Sequence, residues 1–174
     1  MTHRIPESDQ TTLRGVMSRS EFVQDVINGS VFYAYKSHPT TDTLDDDDSI
    51  DIVATSPANS GIGMGFVARI GGTAELNIYE NVSGVTGGTI FIPRNRNRTS
   101  SRMSQTGVII NPTAVTTNGV LYEEQIIGGT GGTAAGATVS AEYAIIKPDT
   151  SYLFRLINRS GQKRVAELYL QWSE

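Results

Sequence analysis

Two stretches hold most of the residues that can do chemistry. Asp45, Asp46, Asp47 and Asp48 form one run, and Arg94, Arg96 and Arg98 alternate with asparagines in another. Consecutive carboxylates can hold a divalent cation, because calcium takes several carboxylate and carbonyl oxygens. The aspartate run lacks the spaced ligands and central glycine of an EF-hand loop, so it reads as a solvated loop and no metal is assigned. In Arg94-Asn95-Arg96-Asn97-Arg98 an extended backbone puts all three guanidiniums on one face. Their planar forks suit carboxylate or phosphate. No aromatic is interleaved, which disfavours nucleic acid and leaves an acidic protein surface as the better partner.

The two stretches are segregated. From Ser37 to Ser60 there are six acids and no lysine or arginine, whereas from Phe91 to Ser104 there are four arginines and no acid. Opposite patches on one small protein can attract copies of itself or steer a charged partner, unless both are plain solvated loops. The formal net charge of -4 excludes a generally basic nucleic-acid binder.

The remaining candidates carry less. His3 and His38 are the only histidines, and neither has the spacing of a triad or metal site. There is no cysteine, which excludes disulfides and thiolate metal sites. Glu123 and Glu124 fall on opposite faces of a strand and cannot form a facing acid/base pair. Gly128-Gly129-Thr130-Gly131-Gly132-Thr133 has no following Lys-Ser or Lys-Thr and no helix to open, so it reads as a connection rather than a phosphate loop. Trp172 sits on an apolar stripe and reads as core. Nothing here supports catalysis or a bound cofactor.

The elements that must position these residues are mostly strands. Met1 to Ser18 has no sustained period and reads as an extended arm, in which Arg4 and Ile5 are candidate contact residues. Met1 to Met17 also lacks the apolar core of a secretory leader. Residues 19–174 read as one domain. Phe22, Val23, Val26 and Ile27 mark one face of a short helix over Ser20 to Ile27, with Ser18 or Ser20 at its start and Asn28-Gly29 at its end. Such a helix must dock to be stable.

Nine or ten short runs follow, separated by turn signals. Thr138 to Lys147 places Val139, Ala141, Tyr143 and Ile145 on one face. Ser151 to Trp172 reads as a central β-hairpin, with Tyr152, Phe154 and Leu156 on one stripe and Ala166, Leu168, Leu170 and Trp172 on the other. Long loops between short strands predict an all-β, jelly-roll-like β-sandwich with one short helix.

Several segments, taken in order, resemble a loosely defined group of tailed-bacteriophage virion proteins. They are Val26-Ile27-Asn28-Gly29 with Val31-Phe32; Pro93 to Arg98; Gly119-Val120-Leu121 through Ile126-Ile127-Gly128-Gly129; and Ile146 to Leu153 through Asn158-Arg159-Ser160-Gly161. The resemblance spans roughly residues 20–174. It implies a capsid decoration (cement) protein on the outside of the phage head, made in the host bacterial cytoplasm. The implied partners are the major capsid protein and further copies of the chain, with a trimer preferred; neither nucleic acid nor membrane is among them. A receptor- or carbohydrate-binding module of a fibre or tail is the rival. Exposed aromatic platforms in the loops would favour that rival, and residues 37–49 and 81–88 contain none.

Overall fold

Alternating apolar residues in an extended chain bury one face of each strand, so two such sheets must close face to face, about 10 Å apart. The computed structural model describes residues 22–59, 61–128 and 137–174, with backbone alone over 137–144. The expected arm, with His3, Arg4 and Ile5, lies outside the described residues, as do the helix-start serines and most of the glycine-rich loop.

The strands in chain order are β1 (Val31–His38), β2 (Ser49–Thr55), β3 (Ile62–Ile70), β4 (Ala74–Glu80), β5 (Ser83–Thr86), β6 (Thr89–Ile90), β7 (Arg94–Asn95), β8 (Gly107–Ile110), β9 (Ala114–Thr117), β10 (Val120–Ile127), β11 (Ala137–Ile146), β12 (Ser151–Asn158) and β13 (Ala166–Ser173). One sheet runs β11-β3-β13-β1-β7, the second β10-β4-β12-β2-β8-β6, and β5-β9 form a small third. Strand β4 pairs with β10, β3 with β11, β2 with β12 and β1 with β13, all antiparallel. That nesting is a long hairpin ribbon rolled into a sandwich, the jelly roll. The stretch between β4 and β10, at the tip of the ribbon, is an insertion. It contributes β6 and β8 beyond β2 on one sheet and β7 beyond β1 on the other.

The chain's closing strands differ from the expected hairpin. β12 lies between β2 and β4, β13 lies between β1 and β3, and the two are not partners. Period-2 spacing shows that both runs bury a stripe, but it is the same whether two strands pair side by side or face each other across a core. Here the connection crosses from sheet to sheet. The central position of both strands is as expected, with Phe154, Leu156, Leu168, Leu170 and Trp172 all buried.

Three further differences have local causes. Strands β5 and β9 occupy stretches with too few apolar residues to show a period, yet Val82, Val85 and Val115 cover Val53 and Leu153 on the outer face of the six-stranded sheet. This is why β2 is buried on both faces. The register of β11 shifts between Ala141 and Ala144, which breaks the single face expected to run from Val139 to Ile145; beyond the shift Ile146 is buried and Ile145 is exposed. The helix forms over 22–27 and ends on Gly29 at φ 71°, with Gly29 N donating to Val26 O and Ser30 N to Asp25 O. Most of its expected apolar face is open among the described residues: Phe22, Val23 and Ile27 are exposed, and Val26 is half-buried.

Glu174 fastens the end of β13. Its carboxylate accepts from Ser104 Oγ (2.6 Å), Gln105 N (2.8 Å), Thr106 N (3.0 Å), Thr106 Oγ1 (2.7 Å) and Trp172 Nε1 (2.9 Å). Burial pushes this carboxyl upward, but the hydrogen bonds together outweigh it and hold the group below its ordinary value of 4.5. A folded value below the unfolded one stabilises the protein above the unfolded value, and the stabilisation is lost as pH falls through the folded one. We therefore expect Glu174→Gln to melt below wild type at neutral pH, with the gap closing as pH drops under about 4.5. A gap constant from pH 7 to 3 would show that the carboxylate charge contributes nothing.

Candidate functional site: an arginine and tyrosine face

The asparagines in the Arg-Asn alternation build the loop, which leaves the arginines outside it. Strand β7 pairs with β1 through Phe32↔Asn95 and Tyr33↔Arg94. Asn95 turns inward; its Nδ2 donates to Gly29 O (2.8 Å) and Arg102 O (3.2 Å), and its Oδ1 accepts from Asn97 N (2.8 Å). Asn97 Oδ1 accepts from Thr99 N (3.0 Å) and Oγ1 (2.7 Å), and its Nδ2 donates to Ile27 O (2.8 Å). Such side-chain turns fix a loop without regular structure.

Beneath the arginines lies the outer face of the five-stranded sheet. Phe32, Ala34, Leu168 and Leu170 point into the core, so Tyr33, Tyr35 and Tyr169 point out. Their rings stack, with centroids 6.4 Å apart for Tyr33 and Tyr35 and 5.7 Å for Tyr33 and Tyr169. The Arg94 guanidinium lies 5.7 Å from the Tyr35 centroid, and that of Arg96 lies 5.8 Å from both Tyr33 and Tyr169. Arg96 Nη2 also donates to Tyr169 Oη at 2.6 Å. Cation–π contacts of this kind contribute about 0.5–1 kcal/mol each when exposed. Arg98 joins Arg96, Tyr33 and Tyr169 around a shallow cleft of about 320 Å³. The loop sequence holds no aromatic between its arginines, but β1 and β13 supply them in space. Only the strand pairing reveals this.

The acidic run has a different fate. Asp45 pairs with Lys163 (2.6 Å), Asp47 with Arg159 (2.6 Å), and Asp46 Oδ1 accepts from Gly161 N (2.7 Å). The run clasps the corner between β12 and β13, with Asp47 at φ 62°. Two of its four charges, those of Asp45 and Asp47, are paired with cations within the chain. Among the described residues no carboxylate lies within ion-pair distance of Arg94, Arg96 or Arg98, whereas Arg69 on the same sheet is paired with Glu167 at 2.8 Å. The two charged stretches, which look alike in sequence, are therefore one structural clasp and one basic face without a carboxylate partner among the described residues.

The other candidates resolve as structure. His38 Nδ1 donates to Asp42 O at 3.0 Å. Glu123 and Glu124 hold consecutive register positions opposite Ile78 and Asn77, hence opposite faces. A cleft of about 380 Å³ opens between β10 and β11, floored by Met64, Phe66 and Phe154. At its polar end Glu80 takes Lys147 Nζ (2.5 Å) and Tyr152 Oη (3.0 Å), and the ammonium holds Glu80 below the ordinary carboxylate value. Among the described residues no group of three or more acids or histidines converges to hold a metal, and no helix is long and apolar enough to cross a membrane.

No known protein family, curated protein or solved structure matches the chain. The reading of its role therefore rests on this geometry and on the ordered sequence segments.

Proposed function

We propose that this protein is a structural docking protein, a capsid decoration (cement) protein that binds the outside of a tailed-phage head and stabilises contacts between capsid subunits. In this reading its partners are the major capsid protein and copies of itself, with a trimer preferred. It is made in the host cytoplasm and resides in the virion. Arg94, Arg96 and Arg98 carry the reading: three guanidiniums without carboxylate partners among the described residues, held on a loop fixed by Asn95 and Asn97. Pre-organised forks lose little freedom on meeting carboxylates, and several bidentate contacts together outweigh one screened pair. Of the ordered segments that resemble phage virion proteins, 93–98 forms the arginine loop and 158–161 the corner that the aspartate run clasps. A jelly roll alone decides nothing, since capsid and lectin domains share it.

The test is association with undecorated particles. Replacing the three arginines by serine should slow binding roughly tenfold or more at low salt and flatten its salt dependence. Equal rates with equal salt slopes would leave the face without a docking role. The tyrosine platform favours a second reading, a carbohydrate-binding module. Arg94 and Arg96 already cover part of those rings, which leaves less bare aromatic surface for a neutral sugar. Glycan binding lost in Tyr33→Ala, with particle binding unchanged, would move the assignment to that reading.

A further inference from the structure

Two surface strips of complementary character lie on opposite edges of the sandwich. The first is on the insertion. Ile90, Ile92 and Met103 are 80%, 74% and 75% exposed and rim a hollow of about 850 Å³ shared with Arg94, Arg98 and Arg102. No acid occurs from Phe91 to Ser104. Arg102 spends one nitrogen on Glu174 O (2.6 Å), and the Glu174 carboxylate is engaged by Ser104, Gln105, Thr106 and Trp172.

The second strip is β10, the edge strand of the six-stranded sheet on the far side. Its register slips between Leu121 and Glu123. Because of that bulge Leu121, before it, shares the outer face with Glu124 and Ile126, after it, and all three are exposed. From Gly119 to Ile146 there is no lysine or arginine. No described element covers the free side of β10. Edge strands are ordinarily protected by charge, proline or a covering element, and apolar side chains clustered on one mark an interaction surface. The bulge breaks continuous strand addition, so a partner must be met through side chains.

We propose that β10 of one copy seats in the insertion hollow of the next, with Glu124 facing Arg98 and Arg102, and with Leu121 and Ile126 against Ile90, Ile92 and Met103. The two patches differ and sit on opposite edges, so each copy gives and receives at once. The contact is heterologous and builds a closed ring or a chain of copies. Of the three arginines on the tyrosine face, Arg98 is drawn into this contact, while Arg94 and Arg96 can remain available to another surface.

The test uses the whole 18.8 kDa chain and light scattering at about 100 μM. Wild type should show a multiple of the chain mass. A hollow variant, Ile92→Ser/Arg98→Ser/Met103→Ser, and a strand variant, Leu121→Ser/Glu124→Ser/Ile126→Ser, should each be monomeric with unchanged circular dichroism. Mixed, they should form a one-to-one pair, because the first keeps an intact strand and the second an intact hollow. A monomeric wild type, variants that still assemble alone, or a mixture that stays monomeric would each overturn the proposal. No particle is present, so failure of the capsid reading leaves these masses unaffected.

Discussion

Trp172→Ala should lower stability by about 3–5 kcal/mol, the range for deleting a large aromatic from a packed core. Trp172 is 0% exposed and lies on β13 between Phe32 of β1 and Met64 of β3. Its ring stacks on Phe32 at 6.5 Å and 29°. The indole N–H also donates to Glu174 Oε1 at 2.9 Å, so alanine removes both volume and one bond of the terminal clasp. For a domain of this size, each kcal/mol moves the melting temperature by about 2–4 °C, which puts the expected fall at roughly 6–20 °C. Trp172→Phe keeps most of the volume and loses only the donor, so it should cost about 1–2 kcal/mol. Circular dichroism is the readout, because this is the only tryptophan in the chain. A fall below about 2 °C for the alanine variant would mean that the sheets close over the gap, and that Trp172 is not the keystone its burial indicates.

The same residue shows what the sequence does and does not reveal. Its inward position was legible from the spacing of Ala166, Leu168 and Leu170, because burial of one strand face depends only on the alternation of side chains. Which strand lies beside it was not legible. Pairing of β13 with β1 joins residues far apart in the chain, from His38↔Ala166 to Val31↔Ser173, and nothing local encodes that choice. The single face expected along β11 is broken for a related reason, since one register shift reverses every later side chain.

The candidate site divides in the same way. The arginines and aspartates stand out by composition, and their segregation is a fact of the sequence. That Asp45, Asp46 and Asp47 are engaged by Lys163, Gly161 and Arg159 requires the jelly-roll corner, which brings residues 45–47 against 159–163. That the arginines stack on tyrosines requires β7 to pair with β1. Residue type thus marked the charges, and topology decided which were answered.

At that corner the decisive residue is uncharged, and Asn158→Ala should show it. Asn158 is 0% exposed. Its Nδ2 donates to Leu44 O (3.1 Å), Asp45 O (3.1 Å) and Gln162 O (2.7 Å), while Oδ1 accepts from Ser160 N (3.1 Å) and Ser160 Oγ (2.7 Å). One amide therefore joins the β1–β2 loop, the end of β12 and the corner. Alanine removes all of these bonds, each contributing about 0.5–1.5 kcal/mol net, although the Leu44 carbonyl keeps Arg164 N (2.9 Å), the Asp45 carbonyl keeps Asp48 N (3.3 Å), and water can replace part of the rest. The expected total is about 2–4 kcal/mol. The ion pairs around it are solvent-facing, with Asp47 72% and Lys163 68% exposed at the side chain. Asp47→Ala and Lys163→Ala should each cost clearly less than Asn158→Ala, because exposed ion pairs are screened by solvent. Asn158→Asp is the sharper probe: it keeps the shape but turns an acceptor toward three carbonyls, so it should destabilise at least as much as alanine. Urea unfolding of the four variants at neutral pH decides the order. If Lys163→Ala costs more than Asn158→Ala, the corner is held by charge after all.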